Sequence, residues 1–179
     1  MKVTTTIGFI VLFMSGVMLI GSLLSIPAYT DAMSGALSMT GQYAALAILG
    51  LALIFCGSQR FTVITRVLHL LVFSLAAVAQ IQWLVLQGEW REHVSLYPVV
   101  TVLLISISAL LLYRSEISTF VPGSLGIGLA TALALFGFIS HLSALTLFSA
   151  TTPAGTIPSL MVFLLLTMLA LAHGYAVLK

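Results

Sequence analysis

Charge is what this sequence has least of. Among its 179 residues six are Lys or Arg and four are Asp or Glu, so charged side chains make up 6% of the chain. A water-facing surface needs many more, whereas a lipid-facing one needs none, and hydrophobic residues supply 61% of the sequence at a mean hydropathy of +1.24. These proportions exclude a soluble globular domain. A net charge of +2 is too sparse for a nucleic-acid surface. The lone cysteine, Cys56, rules out an internal disulfide framework and falls near the end of an apolar run, where packing is its expected role. No Asp or Glu lies inside any of the apolar runs, which removes the paired acids of membrane hydrolases and the buried carboxylate on which proton or sodium carriers usually depend. No catalytic constellation is therefore expected within the chain.

What the sequence has in abundance is long apolar runs: Thr6 to Ile26, Gly41 to Cys56, Val67 to Leu86, Tyr97 to Tyr113, Leu125 to Leu147 and Ile157 to Leu178. Most have the roughly 20 residues that a helix needs to cross about 30 Å of hydrocarbon, and the second and fourth would borrow from their flanks. The runs are continuously apolar and rich in Leu and Ala, with none of the alternation of a barrel strand. The expected fold is thus all-α and integral to the membrane, one domain of six transmembrane helices covering 1–179. Six such helices leave no room for a soluble catalytic domain. The first run follows Lys2 as a signal peptide would, but it is too long for a typical signal core, and it is read as a retained helix.

Basic residues fix the orientation. With the N-terminus inside, Lys2, Arg60, Arg66, Arg114 and Lys179 lie on the cytoplasmic side and Arg91 alone lies outside. Both termini are then cytoplasmic, in an inner membrane. Asp31, Glu89 and Glu92 fall in outer loops as solvated charges, with Glu116 inside. Breakers mark the outer loops at Pro27 and Asp31 to Gly35, Gly88 to His93, and Thr151 to Gly155, and the inner loops span Gly57 to Arg60 and Arg114 to Pro122. Trp83, Trp90 and Tyr97 gather near the outer boundary, where amphipathic rings anchor to headgroups. A period of roughly 60 residues suggests three copies of one helical hairpin, with Leu37-Ser38-Met39, Val94-Ser95-Leu96 and Thr156-Ile157-Pro158 leading into the return helices.

The segment Met39-Thr40-Gly41-Gln42-Tyr43-Ala44-Ala45-Leu46-Ala47-Ile48-Leu49-Gly50-Leu51-Ala52-Leu53-Ile54 resembles a pattern repeated in the N-terminal membrane region of bacterial PAS, histidine-kinase and GGDEF sensor proteins. Met39, Ala44, Gly50, Leu51, Ala52 and Leu53 fit the pattern, while Gln42 and Tyr43 replace its Asn-Thr pair. Leu96 and Ile157 stand where later copies would carry Met. The resemblance implies a bacterial sensory input module of six helices. It would relay a ligand, redox or bilayer signal to a cytoplasmic output domain beyond Lys179, or to a kinase or cyclase partner.

Polar groups inside a bilayer are costly and so mark candidate sites. These are His69, Gln80 and Gln82 in the third helix, Ser140 and His141 in the fifth, and His173 in the sixth. His69 and His173 lie at similar depth near the cytoplasmic ends of their helices. Two neutral imidazoles facing each other could hold a b-type haem or a metal ion. His141 lies towards the outer face, where only His93 could join it, and two such pairs would make an electron path. Interfacial hydrogen bonding is the plainer use of all four. His69 and Gln80 are about 20° apart around one helix, with Ala76 and approximately Trp83 on the same face. Such a stripe could receive a quinone headgroup or small amphipathic ligand, though hydrogen bonding between helices is its commoner use.

Two alternatives to the sensor follow: a haem- or quinone-binding electron-transfer subunit, and a non-catalytic accessory subunit of a larger complex. The lipid bilayer, further copies of the chain or other membrane subunits are the expected partners. Gly8, Gly16 and Gly21 in the first helix, with Gly126, Gly128, Ala130, Ala134 and Gly137 in the fifth, are expected to admit close helix packing. Met14, Met18, Met33, Met39, Met161 and Met168 have no spacing that makes a soft-metal site.

Overall fold

Leu, Ala and Met favour helix throughout the apolar runs, and the prolines sit where a helix tolerates them. Pro98 and Pro158 are each the third residue of a helix, inside the first turn, where a missing N–H costs no intrahelical bond. The computed structural model describes residues 3–24, 26, 35–56, 62–85, 96–112, 117–147 and 156–177. They form six helices and no strand: α1 (Val3–Leu23), α2 (Gly35–Cys56), α3 (Thr62–Val85), α4 (Leu96–Leu112), α5 (Ile117–Leu147) and α6 (Thr156–Val177).

The helices begin earlier than hydropathy predicts. α2 starts at Gly35 instead of Gly41, and α3 at Thr62 instead of Val67, because backbone hydrogen bonding continues through Ser, Thr and Gly where the apolar signal has already faded. The largest correction is at α5. Its helix starts at Ile117, within the stretch from Arg114 to Pro122 expected as a loop, and Pro122 lies inside it. As the sixth residue, Pro122 removes only the bond that would reach the Ser118 carbonyl, so the helix runs on. Two residues beyond Pro122 the Ser124 hydroxyl donates to the Val121 carbonyl at 2.9 Å. α1 closes with the Ile26 N–H donating to the Gly21 carbonyl at 3.0 Å, just before Pro27.

Consecutive helices are neighbours, and α6 closes the ring on α1 while also packing on α2 and α4. α6 is therefore the hub. Val162, Phe163, Leu166, Leu169 and Ala170 of α6 meet Tyr43, Leu46, Leu49 and Leu53 of α2 in the same buried core. Glycines set the closest approaches. A Cβ on Gly8 would stand 2.8 Å from the Gly50 carbonyl oxygen, so α1 and α2 touch backbone to backbone. At the other end of that pair the Ser22 and Thr40 hydroxyls share a 2.6 Å hydrogen bond. Gly137 of α5 accepts the Phe163 ring, and Gly126 accepts the Ser108 side chain of α4. Gly16 and Gly128 face open space, contrary to the expectation that they line contacts.

By length and composition, Val3–Leu23 and Val121–Ser140 are long and apolar enough to cross a membrane. The apolar stretches Thr40–Cys56, Val63–Val78, Pro98–Leu112 and Leu160–Ala176 are shorter among the described residues.

Candidate functional site

Two histidines meet in the centre of this bundle. His69 stands two turns into α3 and His173 one turn before the end of α6, and the antiparallel course of the two helices brings them to one level. Both are buried, at 0% and 2% exposure. Their Nε2 atoms lie 3.1 Å apart, with ring centroids separated by 5.3 Å and planes at 87°. The imidazole contact thereby joins α3 to α6, while α2 and α4 pack on both.

Each ring is steered by its own helix. His69 Nδ1 lies 2.8 Å from the Thr65 carbonyl oxygen and His173 Nδ1 lies 2.8 Å from that of Leu169. A carbonyl oxygen only accepts, so an Nδ1–H on either ring donates to the backbone of its own helix, and which ring nitrogen carries hydrogen in the Nε2–Nε2 contact follows from the tautomers.

Glycines carry the same level across the remaining helices. Gly174, next to His173, approaches Ile127, and neighbouring Gly126 meets Ser108. One turn of α4 there also holds Ser106, whose buried hydroxyl has no hydrogen-bond partner among the described residues. Composition gave no signal for it, since Ser106 reads as one more small residue in an apolar run.

A bis-histidine haem does not fit this arrangement. Iron between two trans axial nitrogens needs them about 4 Å apart, twice a metal–nitrogen bond of roughly 2.0 Å, with a porphyrin plane between the rings. At 3.1 Å the space is too short for either. Among the described residues no third His, Cys, Asp or Glu gathers with the pair. The face expected to run from His69 through Ala76 is buried at both residues and at Val72 between them. The side chains of Gln80, Gln82 and Trp83 lie outside the described residues, as do that of His141 and the whole of His93. Ser140 is exposed on the outer surface of α5. No family model, curated protein or solved structure matches the chain.

Proposed function

We propose that the chain is a bundle of six membrane-spanning helices serving as a sensory input module, in which the His69–His173 contact sets the position of α6. The signal leaves through the cytoplasmic end of α6, towards an output domain or a partner protein.

The distribution of side chains supports immersion in lipid. Large apolar residues point outward along whole helices: Phe9, Phe13 and Ile20 on α1, Val67, Leu71 and Leu75 on α3, Leu125, Leu129 and Phe136 on α5. Polar ones turn inward, with Thr4, Ser15, Thr65, Thr101, Ser106, Ser108 and both histidines buried. Water would favour the reverse. Hydroxyls also fold back on their own helices, as lipid requires of them: Ser15 on Val11 at 2.6 Å, Thr167 on Phe163 at 2.8 Å, and the exposed Ser74 on Leu70 at 2.9 Å. Basic residues gathered near one set of helix ends support the cytoplasmic placement of both termini.

The observation that carries the sensory reading is the buried imidazole contact itself. It ties α3 to the hub helix through two polar rings in an apolar core. A ligand that binds better when this contact is made, or when it is broken, shifts the position of α6 by its differential affinity. The resemblance of Met39 to Ile54 to sensor membrane regions points the same way.

The test is a reporter output domain joined after Lys179. At equal expression and membrane integration, His173→Leu should change reporter activity by roughly threefold or more. Unchanged activity in both His173→Leu and His69→Leu would remove the sensory reading.

A further inference from the structure

We propose that the Ser106 hydroxyl is the second partner of His173: when the imidazole contact opens, Ser106 takes the place of His69 and holds α6 in the other position of the switch. The inference rests on the reading of the histidine pair as the switch of an input module, and it names what the other state is made of.

The register of the helices puts Ser106 at the level of the pair. Gly174, next to His173, lies against Ile127 of α5, and Gly126, one residue before Ile127, lies against Ser108 of α4. Ser108 is therefore nearly level with His173, and Ser106 is about 3 Å along the helix from it. Two residues also turn a helix by about 200°, so Ser106 points away from the α5 contact that Ser108 makes. Ser106 is fully buried, and the other helices packed on α4 are α3, α6 and α2. Its hydroxyl thus lies on the side of α4 where α3 and α6 meet through their imidazoles.

Among the described residues, Ser106 Oγ is the buried side-chain oxygen that finds no hydrogen-bond partner. Ser15 and Thr167 fold back on their own helices, and Ser106 does not. A buried hydroxyl left so is costly, and any state that gives it a partner recovers that cost. A hydroxyl both donates and accepts, so it suits His173 Nε2 in either tautomer. The Leu169 carbonyl keeps His173 Nδ1 throughout, so the ring need not turn over. α4 packs directly on α6, whereas α3 and α6 are not among the helix pairs whose backbones pack, and the two rings span between them. α3 buries only small or polar residues beside His69, namely Thr65, Val72 and Ala76, while Val63, Val67, Leu71 and Leu75 face outward. Its withdrawal therefore uncovers little large apolar surface. With His173 satisfied in both states, the two lie close enough in energy for a ligand to select one.

The experiment uses the full chain in lipid nanodiscs with 15N-labelled histidine, as the parent, as His69→Leu, and with Ser106→Ala added to each. In His69→Leu the His173 Nε2 resonance should carry the shift of a hydrogen bond, and Ser106→Ala should remove it. In the parent, Ser106→Ala should leave that resonance in place. It should also keep the thermal unfolding midpoint at or above the parent's, because the hydroxyl it deletes has no bond to lose. A His173 resonance in His69→Leu that is indifferent to Ser106→Ala would overturn the proposal. So would a lower midpoint for Ser106→Ala in the parent, which would mean that the hydroxyl is already bonded there. Reporter output measured in parallel separates the two readings. A Ser106-dependent shift with a reporter silent in His69→Leu and His173→Leu removes the sensory role and leaves the exchange of partners, whereas a responsive reporter without that shift does the opposite.

Discussion

Gly8 on α1 and Gly50 on α2 meet so closely that a Cβ on Gly8 would stand 2.8 Å from the Gly50 carbonyl oxygen and one on Gly50 2.9 Å from the Leu12 amide nitrogen. The obstructing atoms are backbone, which does not rotate out of the way. Gly8→Ala and Gly50→Ala should each destabilise the bundle by about 1–3 kcal/mol in mixed-micelle unfolding. Gly16→Ala, with open space around it, should stay within about 0.5 kcal/mol of the parent or gain slightly. Equal effects at all three positions would refute the close approach of these helices.

Gly137 presents the opposite case, because the atoms it meets belong to the Phe163 ring. Gly137→Ala should be destabilising by itself and largely relieved in combination with Phe163→Leu, which frees the space. A double-mutant cycle measures this, and additive losses would mean that the two residues do not share the contact.

The outward apolar belt predicts sensitivity that depends on depth. Leu129 is exposed near the middle of α5, and Leu129→Arg should lower membrane integration by about 2.5–3.5 kcal/mol on insertion scales. Val3→Arg, at the start of α1, should be tolerated, since the long side chain reaches the headgroups. Equal integration of both variants would count against six spanning helices.

The histidine contact predicts coupling between α3 and α6. In a double-mutant cycle of His69→Ala and His173→Ala, the coupling should differ from zero by about 1–3 kcal/mol. Additive losses would show that the rings do not interact.

Much of this architecture was legible in the sequence, because lipid-scale apolar runs announce helices without reference to their neighbours. The level shared by His69 and His173 was legible too, since rise per residue converts position along a helix into depth. Which faces meet was not. Gly16 and Gly128 look as suitable for close packing as Gly8 and Gly126, and only the arrangement of neighbours tells them apart. Gly50, the partner of Gly8, fits the resembled pattern, but its run of Leu and Ala gives no sign that it packs against another helix. The start of α5 was hidden by Pro122, whose cost depends on how many turns precede it. Likewise, the exclusion of haem needed the 3.1 Å separation, which no pattern of residue types encodes.

The most direct measurement of the account is a distance between α3 and α6 in the membrane. Spin labels at Val63 and Tyr175, both exposed and close in sequence to His69 and His173, report it by double electron–electron resonance in nanodiscs. The account predicts a short, narrow distribution in the parent chain and a longer, broader one in His69→Leu and in His173→Leu, which lose the contact. A distribution that is the same in the parent chain and in both variants would contradict the role of the His69–His173 contact as the switch.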